Sequence, residues 1–198
     1  NTHAIMGAYT AKVLQGYYTF ADDDTGSFVT FDDAGYIVMG NGGRDAYLLG
    51  GGDDFVLGGS GDDLLSGGGG NDLINGGTGN DVLLGFAGDD LLGGATGNDI
   101  VNAGRPNDVI FVGGDNSNLS GASGADSFVF VEGDSGSAMI DGGARLDTLY
   151  LVLSTDTAAA YDADATGTLA ALGLTITDVE NLVVLDSTDD LAGEVWYE

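Results

Sequence analysis

The chain has 198 residues and a formal net charge of −28, with 32 acidic residues against 4 basic ones. Only Lys12, Arg44, Arg105 and Arg145 are available to meet phosphate, which excludes nucleic acid as a direct partner and makes an anionic membrane an equally poor one. There is no Cys, so disulfide and thiol chemistry are excluded, and no apolar run approaches the roughly 18 residues of a spanning helix, so no membrane insertion is expected.

The acidic residues are 4 Glu and therefore 28 Asp. Glu would be common on helices, whereas Asp suits turns and hard cations. The chain is also 43% apolar, too much for a disordered acidic tail once metal is bound.

In chain order, Ala8–Gln15 is expected to form a short helix. Tyr17–Phe20, Ser27–Phe31 and Tyr36–Met39 read as strands. Their inward candidates, Val29 and Val38, lie eighteen and nine residues before Tyr47. Residues 1–39 are therefore expected to form a metal-free β-rich cap, since a repeat stack needs its open end covered.

From Gly40 to about Phe130 the sequence repeats every nine residues. Asp stands at 45, 54, 63, 72, 81, 90, 99 and 108, gives way to Ser117, and returns at 126. Two residues after each position is an apolar one: Tyr47, Val56, Leu65, Ile74, Leu83, Leu92, Val101, Ile110, Leu119 and Phe128. Two residues before stand Gly43, Gly52, Gly61, Gly70, Gly79, Gly88, Gly97 and Gly124, with Pro106 and Asp115 as exceptions. A flexible Gly/Asp linker would not keep the apolar residue in register through every rung.

Six residues rich in glycine suit a turn, and the next three suit a short strand whose middle side chain points inward. Turn, strand, turn, strand makes an eighteen-residue coil. Rungs eighteen apart then stack about 4.8 Å from each other. Asp45, Asp63, Asp81 and Asp99 form one column; Asp54, Asp72, Asp90, Asp108 and Asp126 form the other. Carboxylates at that spacing repel by roughly 3 kcal/mol per pair at an effective dielectric near 20. A hard divalent cation between successive turns removes the problem. Ca²⁺ takes about 6–8 oxygens from carboxylates and backbone carbonyls, whereas Mg²⁺ wants tighter octahedra and keeps its waters. Soft metals are disfavoured by a chain with one His and no Cys.

The flanking strand residues Leu64, Val82, Ile100, Leu84 and Leu48 on one sheet, and Phe55, Leu73, Leu91, Val109, Leu57 and Phe111 on the other, should point outward. Either they are apolar residues on the outside of a narrow roll, or a terminal segment or partner covers one face. The fifth turn positions (Asp53, Asp62, Asp89, Asn71, Asn80, Asn98, Asn107) are expected in solvent.

Residues 131–198 are expected to form a β-rich C-terminal capping segment, with one further rung at Gly142–Leu149. Glu132–Ala138 reads as a loop. Met139–Ile140, Thr148–Leu153, Leu174–Ile176 and Leu182–Leu185 read as strands. Ala158–Asp164 is ambiguous, and Leu169–Leu172 is a turn of helix or a strand. No catalytic constellation emerges. His3 is the only imidazole and lies near a terminus. His-Glu-x-x-His and Gly-Lys-Ser/Thr are both missing. Carboxylate pairs suited to glycoside hydrolysis abound, but turn ligation explains nearly all of them, so an enzymatic role is not expected.

The rungs, best seen in Gly58-Gly59-Ser60-Gly61-Asp62-Asp63-Leu64-Leu65-Ser66, resemble the RTX, or haemolysin-type, calcium-binding nonapeptide repeats. The resemblance implies an all-β fold, a right-handed parallel β-roll with Ca²⁺ between successive turns on each side. One turn would give the carbonyls of its second and fourth residues plus its Asp; the next would give the carbonyls of its first and third residues plus its Asp. Carried onto this sequence, one ion sees Gly59, Gly61 and Asp63, then Gly76, Thr78 and Asp81. The same rule brings in Gly43, Gly50, Gly52, Gly68, Gly70, Gly77, Gly79, Gly88 and Gly97. Pairing Asp residues eighteen apart predicts about seven ions. Ser117, Pro106, Asp115 and Arg145 depart from the pattern and weaken their sites.

The resemblance further implies type I secretion, export in the unfolded state and calcium-driven folding outside the cell or at its surface. Thr177-Asp178-Val179-Glu180-Asn181-Leu182 is similar to segments between repeat blocks of large RTX proteins. Thr78/Asn80 and Thr96/Asn98 resemble the ice-binding ladder of some RTX antifreeze domains, though Ser60/Asp62 and Gly42/Arg44 break it. Two alternatives remain open. One is an adhesin or surface-layer segment that binds extracellular glycan, ice or a protein partner. The other is the non-catalytic tail of a secreted lipase, protease or epimerase.

Overall fold

The computed structural model describes residues 17–19, 26–30 and 32–186. The helix expected at Ala8–Gln15, the His3 side chain and the Trp196-Tyr197-Glu198 end lie outside them. Successive short strands alternate between two faces, and every pairing between them is parallel. One face is built by β1 (Tyr17–Thr19), β3 (Ile37–Met39), β5 (Phe55–Ser60), β7 (Leu73–Thr78) and β9 (Leu91–Thr96). The other is built by β2 (Ser27–Val29), β4 (Ala46–Leu48), β6 (Leu64–Gly69), β8 (Val82–Ala87) and β10 (Ile100–Arg105). Two long strands, β11 (Val109–Ala122) and β12 (Ser127–Asp141), run through the corner and contribute to both faces. The chain is thus a β-solenoid of the β-roll kind.

The register is the eighteen-residue coil. Phe55 faces Leu73, Leu73 faces Leu91, and Leu64 faces Val82. Pairing runs further than a three-residue strand, because Gly59 also faces Gly77 and Ser60 faces Thr78. Main-chain hydrogen bonding continues into the turn, so β5 to β10 are each six residues long. The middle residue of each rung makes the core. Val56, Leu65, Leu83, Leu92 and Ile110 are wholly buried, Tyr47 and Phe128 with them. The core lies between the two sheets, and Leu49, Ala103, Val112, Phe130, Leu151 and Leu153 join the rung-middle residues in it.

The ends correct several expectations. In β2 the inward residue is Phe28, not Val29. Phe28 is buried, faces Tyr47 across the ladder and packs edge-on against Tyr36 at 5.7 Å. The spacing there is nineteen rather than eighteen, so extrapolating the phase upstream misses by one residue. Glu132–Ala138 is not a loop but the middle of β12. Its backbone pairs with β11 at Gly114↔Ser135 and Asn116↔Ser137, an offset of 21 that absorbs a three-residue insertion. Thr148–Leu153 is β13 as expected.

The ambiguous stretch forms two helices, α1 (Thr155–Ala163) and α2 (Ala165–Ala171). Ser154 caps the first by accepting from the Thr157 N–H, and Asp164 caps the second by accepting from the Gly167 N–H. β14 (Leu174–Thr177) then adds to β12, and β15 (Asn181–Asp186) adds to β13. No helix among the described residues is long and apolar enough to cross a membrane.

The flanking positions do face outward. Leu48, Leu64, Ile100 and Phe111 are exposed, and Leu73 and Leu91 are half-buried in a shallow groove with Phe111, Val129 and Val131.

Candidate metal centre

Each Asp of the repeat sits where a turn becomes a strand, one residue before the pairing resumes. The coil therefore places Asp45, Asp63, Asp81 and Asp99 in one column and Asp54, Asp72, Asp90, Asp108 and Asp126 in the other. All nine are buried, none more than 4% exposed. Asp147 continues the second column, and Ser117 takes the place of Asp in the first.

The columns are bonded through one oxygen of each carboxylate. Oδ1 of Asp63, Asp72, Asp81 and Asp90 accepts the backbone N–H of the Asp one coil earlier, at 2.8 Å in each case. Asp99, Asp108 and Asp126 repeat this, and Asp147 accepts from the Asp126 N–H at 2.7 Å. At the start, the Gly26 and Tyr36 N–H groups donate to Asp45 and Asp54. Mutual repulsion is thus offset in part by backbone dipoles, a contact that spacing alone did not reveal.

The second oxygen is different. Oδ2 of Asp54, Asp63, Asp72, Asp81, Asp90, Asp108, Asp126 and Asp147 is buried with no hydrogen-bond partner. A buried ionised oxygen without a partner costs several kcal/mol. Burial accordingly pushes Asp54, Asp90 and Asp126 up to about 7 and Asp63, Asp72, Asp81 and Asp108 up to about 6, with neighbouring acids adding to the rise. Asp45, Asp99 and Asp147 are raised for the same leading reason.

Backbone carbonyls converge on these oxygens. A Cβ on Gly58 would fall within 3.0 Å of both Asp63 Oδ2 and the Gly76 carbonyl oxygen of the next coil. The same convergence occurs at Gly85 (Asp90 Oδ2, Ala103 carbonyl) and Gly121 (Asp126 Oδ2, Gly142 carbonyl). The Gly59 and Gly61 carbonyls face forward onto Gly77 and Gly79. The Thr78 carbonyl faces back and accepts from the Gly61 N–H at 2.7 Å, leaving one lone pair. Of the six groups expected to hold one ion, Asp63 Oδ2 and the Gly76 carbonyl thus lie beside one point, while the Gly59, Gly61 and Thr78 carbonyls lie between the same two coils. Gly61 shows why the turn needs glycine. Its φ is +122°, and a Cβ there would collide with the Gly43 carbonyl.

The other named glycines occupy equivalent places. The carbonyls of Gly43, Gly50, Gly52, Gly70, Gly79 and Gly97 face the following coil, while Gly68, Gly77 and Gly88 share the left-handed backbone. The position of Gly58, five residues before the Asp, is held by a buried Val112 before Ser117, and by buried Leu49 and Ala103 before Asp54 and Asp108.

This donor set is oxygen only. Among the described residues no group of three or more His, Cys, Asp or Glu side chains converges on a point, so carbonyls must complete any site. Anionic oxygens in pairs with main-chain carbonyls fit Ca²⁺, and the unpartnered Oδ2 atoms are what such an ion would satisfy.

The fifth-position residues are exposed and form an outer ladder. Asn80, Asn98 and Asn116 donate through Nδ2 to Asp62, Asn80 and Asn98 at 3.1, 2.9 and 3.0 Å. Two members of the inner system lie outside the strict spacing, the first of them in the further rung expected at Gly142–Leu149. Asp147 lies 21 residues after Asp126, and Glu180 accepts the Asp147 N–H at 2.8 Å from 33 residues away. The Gly-Gly rung around 142 marks the first; nothing periodic marks the second.

A family profile described as RTX calcium-binding nonapeptide repeat (4 copies) matches residues 39–74, 66–101 and 103–130. No curated protein and no solved structure matches the chain. With stacked nine-residue rungs, two inward Asp columns and this match together, residues 39–130 belong to the family of RTX calcium-binding nonapeptide repeats.

Proposed function

We propose that the chain is a calcium-dependent folding module of a secreted protein, disordered where calcium is scarce and closed into a roll where it is abundant. The observation that carries this reading is the row of buried, unpartnered Oδ2 atoms. Without a cation those charges oppose closure; with one between each pair of turns they promote it. The Asp pairs 45/63, 63/81, 81/99, 54/72, 72/90, 90/108 and 108/126 are the seven proposed positions, each completed by the turn carbonyls named above. Seven ions would reduce the formal charge from −28 to about −14. Affinities of ~10⁻⁴–10⁻³ M, usual for extracellular modules, would keep the chain open inside a cell and fold it outside. Binding energy then becomes folding energy.

The reading assigns no catalytic role, because the chemistry-bearing side chains of the repeats are used up as turn ligands. The test is far-UV circular dichroism in EDTA and in millimolar Ca²⁺, with calorimetric titration. A β spectrum appearing only with Ca²⁺, and several ions bound per chain, is expected. The same β spectrum at neutral pH in both conditions would overturn the switch.

A further inference from the structure

We propose a calcium site at the junction of the roll and its C-terminal cap, formed by Asp147, Glu180 and the main-chain carbonyl of Asp178. It rests on the reading of the roll as calcium-binding, but none of its cap residues belongs to a repeat.

The geometry is that of a roll turn rebuilt from foreign sequence. Strand β14 ends at Thr177, whose carbonyl accepts the Gly142 N–H at 3.0 Å. Gly40 makes the equivalent bond to Leu57 within the roll. Strand β15 begins at Asn181, whose N–H donates to the Asp147 carbonyl at 2.9 Å, as Leu64 does to Asp45. Between them only Asp178, Val179 and Glu180 replace the six residues of a repeat turn. Glu180 lies where the next Asp would stand and accepts the Asp147 N–H through Oε2. Its extra methylene suits a turn three residues shorter. Asp178 takes the left-handed backbone at φ +49°, and its carbonyl oxygen faces Gly142 as the Gly76 carbonyl faces Gly58.

The independent sign of a ligand is Asp147 itself. It is wholly buried, its Oδ2 has no partner, and a Cβ on Gly142 would lie 2.7 Å from that oxygen and closer still to the Asp178 carbonyl. A buried carboxylate oxygen beside a carbonyl oxygen is satisfied by a proton or by a cation between them, and at neutral pH with calcium present the cation can displace the proton. Glu180 is exposed, so waters can complete the shell, as Ca²⁺ permits. Such an ion would clip α1, α2, β14 and β15 onto the last repeat and make the cap's order depend on calcium.

The experiment is hydrogen exchange with calorimetric ion counting on the full chain, wild type against Glu180→Gln. Gln keeps an acceptor for the Asp147 N–H and removes only the charge. The expected result is one ion fewer and at least tenfold faster exchange across 174–186 in Ca²⁺, with amides of 55–111 unchanged as the internal control of folding. An unchanged ion count with unchanged protection of 174–186 overturns the site. Asp178→Asn, which keeps the main-chain carbonyl, is expected to bind the wild-type number of ions; a loss equal to that of E180Q overturns the carbonyl assignment. If the wild type itself binds no calcium across the repeats, the proposed function falls, whereas failure confined to E180Q removes only the cap site.

Discussion

Substituting Asp81 separates the two jobs of an inner carboxylate. Its Oδ1 accepts the Asp63 N–H at 2.8 Å, and its Oδ2 is buried without a partner. Asp81→Ala removes both oxygens and leaves a buried N–H unsatisfied, a cost of about 1–3 kcal/mol with or without metal. Asp81→Ser should remove only the second, because Ser117 already accepts the Asp99 N–H at 3.1 Å in the same column. Asp81 also stands between two proposed ions, those of the 63/81 and 81/99 pairs. With calcium a hundredfold above its Kd, each bound ion stabilises the fold by about 2.7 kcal/mol, so losing two costs about 5 kcal/mol. The assay is chemical unfolding of wild type, D81S and D81A, in saturating Ca²⁺ and in metal-free buffer at pH 4, with ion counting. D81S should match wild type within about 1 kcal/mol in acid and lose about 5 kcal/mol in Ca²⁺, with two ions fewer; D81A should be worse in both. The reasoning is refuted if D81S binds the full number of ions, or if its loss is as large without metal as with it.

Other outcomes follow from the same geometry. Burial raises Asp54, Asp63, Asp72, Asp81, Asp90, Asp108 and Asp126 to about 6–7 from an ordinary 3.8, so the folded chain holds their protons more tightly than the unfolded one. The metal-free fold should therefore gain stability as pH falls through 7 and 6 toward 4, and lose it as pH rises back. Circular dichroism in EDTA should show β structure at pH 4 that vanishes by pH 8; the opposite trend would contradict it. In calcium, protons compete for the same oxygens, so titrations at pH 5.5 should show weaker binding than at 7.5. Gly61→Ala, at φ +122° against the Gly43 carbonyl, should abolish cooperative folding, whereas Gly69→Ala meets nothing nearer than 3.8 Å and should be almost silent in a thermal melt. Ile74→Ala empties a position 1% exposed, and denaturant unfolding in Ca²⁺ should register a loss of about 2–5 kcal/mol.

The apolar residue two places after each Asp and the glycines before it were enough to derive the coil, both Asp columns and the parallel stacking. A strict period leaves one spatial solution: whatever lies eighteen residues on must lie next door. Each rung is local, with a turn and a strand that know only their neighbours, so the register holds for as long as the period does and shifts where the period breaks. Phe28 replaces Val29 because one residue is inserted before β4, and Glu132–Ala138 extends a strand because a neighbouring coil supplies hydrogen bonds that the segment itself does not advertise. Nor did spacing show that each carboxylate divides its work, one oxygen for the backbone N–H of the preceding coil and one left bare.

Composition and repetition alone determined that this chain forms a parallel roll with acidic seams suited to a hard cation, since nine-residue spacing dictates which side chains become neighbours. Only the tertiary structure decided how the seams end. Glu180 reaches Asp147 across two helices and 33 residues of chain, and no period links them. They meet because β14 and β15 dock on the last coil and rebuild its turn from unrelated residues.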